Sequence, residues 1–96
     1  MRIRSFIHKG LKQLYEQDIT KGVPAESVDK LRKMLTFLDE MQDAGELHAL
    51  PLWKPHVLKG DRAGTWSLTV TRNRRLTFRI DNAEREIHEV DLEDYH

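Results

Sequence analysis

The chain closes on Asp94-Tyr95-His96, an acid, an aromatic ring and an imidazole in succession. Earlier, His56 and Lys59 stand within Lys54-Pro55-His56-Val57-Leu58-Lys59-Gly60-Asp61-Arg62, and Arg72, Arg74 and Arg75 follow. These groups match what RNA cleavage without a metal requires. A base takes the proton of the 2′-hydroxyl as it attacks the adjacent phosphorus, an acid protonates the leaving 5′-oxygen, and cations hold charge on the phosphoryl oxygens. Imidazoles titrate near neutrality, so His96 and His56 suit the acid and base roles, each worth a factor of about 10² to 10⁴. Lys59 suits charge stabilisation, because an ammonium exchanges protons near pH 7 only under strong desolvation or beside other cations. Arg75 can fork onto two phosphate oxygens. Tyr95 offers a face on which a base can stack, and Asp94 can fix an imidazole or lysine or act as a base itself. The residue types alone do not order these roles. Lys54, Arg62, Arg72 and Arg74 supply further charge for an RNA backbone. DNA, lacking the 2′-hydroxyl, should be inert.

Each residue also has a plainer use. A lone histidine in a strand is more often a surface residue than a catalyst, and Lys59 beside a turn is normally solvated. Arg72, Arg74 and Arg79 can pair with Glu86, Glu89 or Asp91 on a neighbouring strand. His8, His48 and His88 have neither ligand-like spacing nor acidic or thiol partners, so no metal site is expected. Trp53 and Trp66 are expected in core or rim packing.

A chain of 96 residues forms one domain spanning 1–96, and at this length folding hides only about 60 to 65 % of the unfolded surface. The core must be small. Hydrophobic residues make up 39 % and charged residues 33 %, and apolar positions recur in ordered patterns, which fits a folded domain better than a disordered one. Without cysteine, neither disulfides nor thiolate metal sites can brace it. No signal peptide or membrane span is readable, so a cytoplasmic protein is expected. The formal charge is zero, which argues against blanket affinity for polyanions, but the charge is polarised. Residues 54–75 hold Lys54, Lys59, Arg62, Arg72, Arg74 and Arg75 against Asp61, whereas residues 81–96 are acidic apart from Arg85 and the histidines among their charged side chains. The basic block can meet phosphate, or the acidic block can pair with it internally.

These residues need a scaffold. Arg2-Ile3-Arg4-Ser5-Phe6 reads as a short first strand, followed by a helix with Ile7, Leu11, Leu14 and Tyr15 at spacings of three and four. Pro24 suits the first turn of a second helix, with Glu26 and Asp29 near its positive end. Val28, Leu31, Met34, Leu35, Leu38 and Met41 form its apolar stripe, and Gly45 offers a stop. After Pro51 the period becomes two. Trp66, Leu68 and Val70 alternate with Ser67, Thr69 and Thr71, and Leu76, Phe78 and Ile80 with Thr77, Arg79 and Asp81, turning near Asn73. Lys59 to Gly64 forms a hairpin, with His56 and Lys59 on the strand entering it, and Asp81 to Glu84 forms another turn. A last strand runs from about Glu86 to Leu92. The expected class is α+β, with a short N-terminal strand and two helices on one face of a mainly antiparallel sheet of four to five strands. The other face is left partly open.

This order of elements, with His-x-Leu-Lys-Gly-Asp-Arg-x-Gly-x-Trp-Ser over 56–67, Asn-x-Arg-Leu-x-Phe over 73–78 and Glu-Asp-Tyr-His over 93–96, resembles the HigB branch of the RelE/ParE toxins. Arg4-Ser5-Phe6-Ile7-His8-Lys9-Gly10-Leu11-Lys12 is similar to that branch too, so the likeness covers essentially the whole chain. It implies a RelE-like microbial RNase fold and a toxin of a type II toxin–antitoxin pair. Such a toxin enters the A site of the 70S ribosome and cuts messenger RNA there, with no metal or cofactor. The resemblance also implies a HigA-like helix-turn-helix antitoxin that neutralises the toxin and with it represses their operon, operator DNA being reached only through the antitoxin. His56, Lys59, Arg75 and Asp94-Tyr95-His96 carry the catalytic match.

Two positions depart from the pattern. Family members commonly place tryptophan where Arg74 stands, and some place a basic residue where Thr71 stands. Arg72 would have to replace the latter from the opposite strand face, unless a bulge restores its direction. Two other functions fit the same scaffold, a noncatalytic ParE-like inhibitor of DNA gyrase and an inactive binding protein.

Overall fold

The computed structural model describes residues 1–95. Two helices, α1 (Lys9–Gln17) and α2 (Val28–Glu40), pack on a sheet of β1 (Arg2–Ile3), β2 (His56–Val57), β3 (Thr65–Thr71), β4 (Arg74–Asp81) and β5 (Glu86–Asp94). The strand order is β1-β5-β4-β3-β2, with β1 parallel to β5 and the other neighbours antiparallel. This is the α+β arrangement expected from the sequence. Neither helix is long and apolar enough to cross a membrane.

The stripe on α2 buries Leu31, Met34, Leu35 and Leu38, and Met41 just beyond the helix is buried too. These side chains meet Leu11 and Leu14 of α1 and one face of the sheet, Leu68, Val70, Leu76, Phe78, Ile87, Val90 and Leu92, in a single apolar cluster. Phe37 and Trp53 pack edge to face against it, 5.6 Å between ring centroids. Trp66 also packs on the core, as expected for both tryptophans. The entry to α1 is crowded. A Cβ at Gly10 would overlap the Gly22 carbonyl oxygen, so only glycine lets the loop after α1 cross back over its first turn.

Bulges decide which residues face the open side of the sheet. Ile87 and Val90 are both buried although three apart, and the β4/β5 register shifts between Thr77 and Arg79. Glu89 there takes a left-handed φ of 57°, and Ser5 ties the spot down by accepting the Glu89 N–H at 2.9 Å. The extra residue reverses the alternation, so Leu92 points into the core and Glu93 away from it. A second shift lies between Thr69 and Thr71 on β3.

Several element ends differ from expectation. The first strand stops at Ile3, and beyond it the chain stays tied to β5 by a bridge from Phe6 to Val90 and by backbone bonds from Arg4 to Ile87 and from Ile7 to Val90. Ile7 precedes α1 and is 62 % exposed, because His8 is the N-cap, its Nδ1 accepting the Leu11 N–H at 3.0 Å. Tyr15 lies at the surface edge and donates its hydroxyl to Asp39 at 2.6 Å. Pro24 precedes a short 3₁₀ turn, Ala25–Ser27, that leads into α2. That helix ends at Glu40 rather than near Gly45, since Asp43 and Glu46 cap a separate 3₁₀ turn, Ala44–Ala49. The strand carrying His56 has only two residues, and Lys59 lies beyond it at the start of the turn Gly60–Arg62. The last strand reaches Asp94.

Candidate active site

Alternation on β3 and β4 turns Ser67, Thr69, Arg75 and Thr77 away from the core. Cross-strand register then sets the rows. His56 pairs with Ser67 and Ser67 with Thr77, while Thr69 pairs with Arg75 and Arg75 with Glu93. A cleft of about 500 Å³ opens over these rows, walled also by Lys54, Leu58, Arg62, Asp94 and Tyr95.

The end of the described chain is docked. The Tyr95 N–H donates to the Asn73 carbonyl oxygen at 2.7 Å, joining it to the turn between β3 and β4. The Arg75 guanidinium carbon stands 4.2 Å from the Tyr95 ring centroid. Its Nη1 donates to the carbonyl oxygens of Thr71 at 2.9 Å and Arg74 at 3.1 Å. Nε and Nη2 have no protein acceptor among the described residues, so this planar cation is held in place with donors to spare. Asp94 accepts from Arg74 Nη1 at 2.8 Å.

His56 Nδ1 lies 3.0 Å from the Lys54 carbonyl oxygen. A carbonyl can only accept, so the neutral ring carries its proton on Nδ1 and presents Nε2 as a lone pair. Across the cleft, Arg62 donates to both oxygens of Glu93, at 2.9 and 2.5 Å. Glu93 also accepts the Thr77 hydroxyl at 2.5 Å. The Arg62 guanidinium, with help from Thr77, holds the Glu93 carboxyl below the usual carboxylate range despite its partial burial. The same bond pushes Arg62 up. Both are charged at neutral pH.

Of the residues singled out by chemistry, His56, Arg75, Asp94, Tyr95, Lys54 and Arg62 line this cleft. Lys59 does not; it sits at the start of the neighbouring 3₁₀ turn. Arg72 is exposed in the turn after β3, and the β3 bulge does not bring it into the cleft wall. Arg74 is half-exposed and occupied by Asp94. His96 lies outside the described residues. The acidic last strand is indeed paired with the basic block, through Arg62–Glu93 and Arg74–Asp94, and Arg79 faces Glu89 at 3.7 Å.

Sequence reasoning passed over Glu93, Thr77, Ser67 and Thr69. The three hydroxyl residues alternate with the apolar positions of their strands, which was the available signal. Glu93 lay past the expected end of its strand, and only the bulge at Glu89 gives it this direction. Among the described residues no three His, Asp or Glu side chains gather as a metal-ligating group.

Comparison with known proteins agrees with this architecture. The YoeB/ParE toxin from Agrobacterium tumefaciens superposes with a TM-score of 0.60 at 21 % identity, covering 100 % of this chain and 99 % of that one. YafQ from E. coli gives 0.59 at 16 % identity over 98 % of this chain and 93 % of that one. These likenesses speak for the fold. The endoribonuclease HigB of Proteus vulgaris is 47 % identical over 94 residues, 98 % of this chain and 99 % of that one. A family model described as RelE-like toxin of type II toxin–antitoxin system HigB matches residues 4–96. The chain therefore belongs to the HigB-like family of RelE-like toxins of type II toxin–antitoxin systems.

Proposed function

We propose that this toxin is an endoribonuclease that cuts messenger RNA in the A site of the 70S ribosome by attack of the 2′-hydroxyl on the adjacent phosphate. The observation that carries the reading is the convergence of His56, Arg75 and Tyr95 on one cleft of the open sheet face. Membership in the HigB-like family and 47 % identity to a relative named an endoribonuclease support it.

In this reading His56 Nε2 takes the proton of the 2′-hydroxyl, and its Nδ1–H bond to Lys54 stabilises the imidazolium that forms. Nε and Nη2 of Arg75 meet the phosphoryl oxygens, where charge grows in the transition state. Tyr95 stacks beneath Arg75 on one face and borders the cleft where a nucleobase enters. His96 protonates the leaving 5′-oxygen. Lys54 and Lys59 hold flanking phosphates from the wall and the rim, with Arg72 and Arg74 further along the same backbone path. Asp94 fixes Arg74 and through the strand end sets where Tyr95 stands.

The toxin acts in the cytoplasm, is neutralised by a HigA-like helix-turn-helix antitoxin, and represses their operon as a complex that touches operator DNA through the antitoxin. The chemical step is tested with ribosomes programmed with a defined message carrying a single 2′-deoxy sugar at the cleavage position. Cleavage of the all-ribose message and none of the substituted one is expected. Equal cleavage of both would remove 2′-hydroxyl attack, and arrest of growth with every message intact would point to a gyrase-directed, noncatalytic toxin.

A further inference from the structure

The Arg62–Glu93–Thr77 bridge lies inside the cleft and uses a cation that RNA would otherwise meet. Arg62 is on the turn Gly60–Arg62, Glu93 and Thr77 are on β5 and β4, and the bridge divides the open sheet face into two clefts. One is the site described above. The other, about 430 Å³, is lined by Arg79, Thr65 and Glu89 and shares Arg62 and Thr77 with it. Both carboxylate oxygens of Glu93 are taken by the Arg62 fork, the geometry with which a guanidinium grips a phosphate.

We propose that Glu93 is a built-in phosphate mimic that keeps Arg62 occupied until an RNA phosphate displaces it, so that the bridge is an autoinhibitory contact and Glu93 sets how tightly the free toxin holds RNA. The geometry favours exchange over a permanent brace. Arg62 sits on a short exposed turn with its side chain half in solvent, while Glu93 is anchored by its strand pairing with Arg75 of β4 and by Thr77. Swinging the arginine costs no strand pairing. The charge pattern agrees, because pairing to Glu93 and Asp94 cancels Arg62 and Arg74 and leaves Lys54 and Arg75 as the cleft cations without a carboxylate partner among the described residues. The carboxyl of Glu93 is held in its ionised form, so it also repels an entering phosphate that has not yet claimed Arg62.

This rests on the proposed RNA cleavage and adds to it the expectation that the free toxin binds RNA weakly, since away from the ribosome no other contacts pay for opening the bridge. The test is fluorescence anisotropy of the free toxin with a short single-stranded RNA bearing 2′-O-methyl sugars, which the toxin cannot cut. Wild type, Glu93→Gln, Arg62→Gln and the double variant are compared, each with its melting temperature. Glu93→Gln is expected to bind about tenfold more tightly and with a salt dependence steeper by about 0.7, the increment for one added phosphate contact on a single strand. Arg62→Gln, which leaves Glu93 bare, is expected to bind more weakly, and the double variant to lose the gain of Glu93→Gln. A purely structural bridge would lower both melting temperatures and move both affinities the same way, and that result overturns the proposal. So does equal binding by wild type and Glu93→Gln. If wild type nevertheless cuts messages on programmed ribosomes, only the latch fails; if no variant binds or cuts RNA, the nuclease reading fails with it.

Discussion

The Tyr95 main-chain N–H donates to the Asn73 carbonyl oxygen at 2.7 Å, and Arg75 lies over the Tyr95 ring two residues from that turn. One backbone bond and one stacked cation thus fix the outgoing end of β5 beside the start of β4. Chain ends ordinarily fray unless tied down. Here the tie is made at the position where the reactive side chains gather.

Arg75 should be hard to replace. Its guanidinium is aimed by the carbonyls of Thr71 and Arg74, so Arg75→Ala is expected to lower single-turnover cleavage on programmed ribosomes by about 10² to 10³. Arg75→Lys should recover little, because an ammonium cannot contact those carbonyls and a phosphate with one plane. Full recovery by lysine would mean that Arg75 serves only as a point charge.

Tyr95 acts through its ring. Tyr95→Phe keeps the face under Arg75 and should cleave much like wild type, whereas Tyr95→Ala should lose about 5- to 150-fold in kcat/KM, from ~1–3 kcal/mol of stacking. A large loss in Tyr95→Phe would instead assign the hydroxyl a part in proton transfer.

The Arg62–Glu93 bridge makes stability depend on acid. The Glu93 carboxyl titrates lower in the folded chain than in the unfolded one, so its stabilisation is fully present above the unfolded value of about 4.3 and is lost as pH falls through the lower folded value. Melting temperatures of wild type and Glu93→Gln measured from pH 7 downward should therefore differ at pH 7 and converge as pH falls through the lowered folded value. A difference that persists unchanged in acid would mean that packing, not charge, is responsible.

Much of the scaffold is legible in the sequence because it follows from side-chain period. The stripe from Val28 to Met41 and the alternation through Leu68 and Phe78 each have one burial solution, and the structure adopts it. Local capping and bulges are what periodicity misses. Ile7 fits a helical spacing but falls outside α1, since His8 supplies a cap that no Ser, Thr or Asp signalled. Glu93 would be assigned to the core by regular alternation from Ile87, and the bulge at Glu89 turns it into the cleft. The meeting of His56, Arg75 and Tyr95 depends on strand register, which residue types foreshadow only when strands are paired correctly.

Gly10 tests the packing of the loop after α1 on the first turn of that helix. An added methyl would meet the Gly22 carbonyl, which is backbone and cannot rotate aside. Gly10→Ala should therefore destabilise by about 1–3 kcal/mol despite the better helix propensity of alanine. At about 4–8 °C per kcal/mol for a domain of this size, the shift is readily seen by thermal melting. An unchanged melting temperature would show that the loop after α1 moves away freely.

The most direct test of the nuclease reading maps transcript ends at nucleotide resolution after brief induction of wild type, His56→Ala and His96→Ala in cells. New ends confined to translated sequence in wild type, and absent from both variants, are predicted. Growth arrest by all three with transcripts intact would contradict RNA cleavage and leave a toxin that works without these imidazoles.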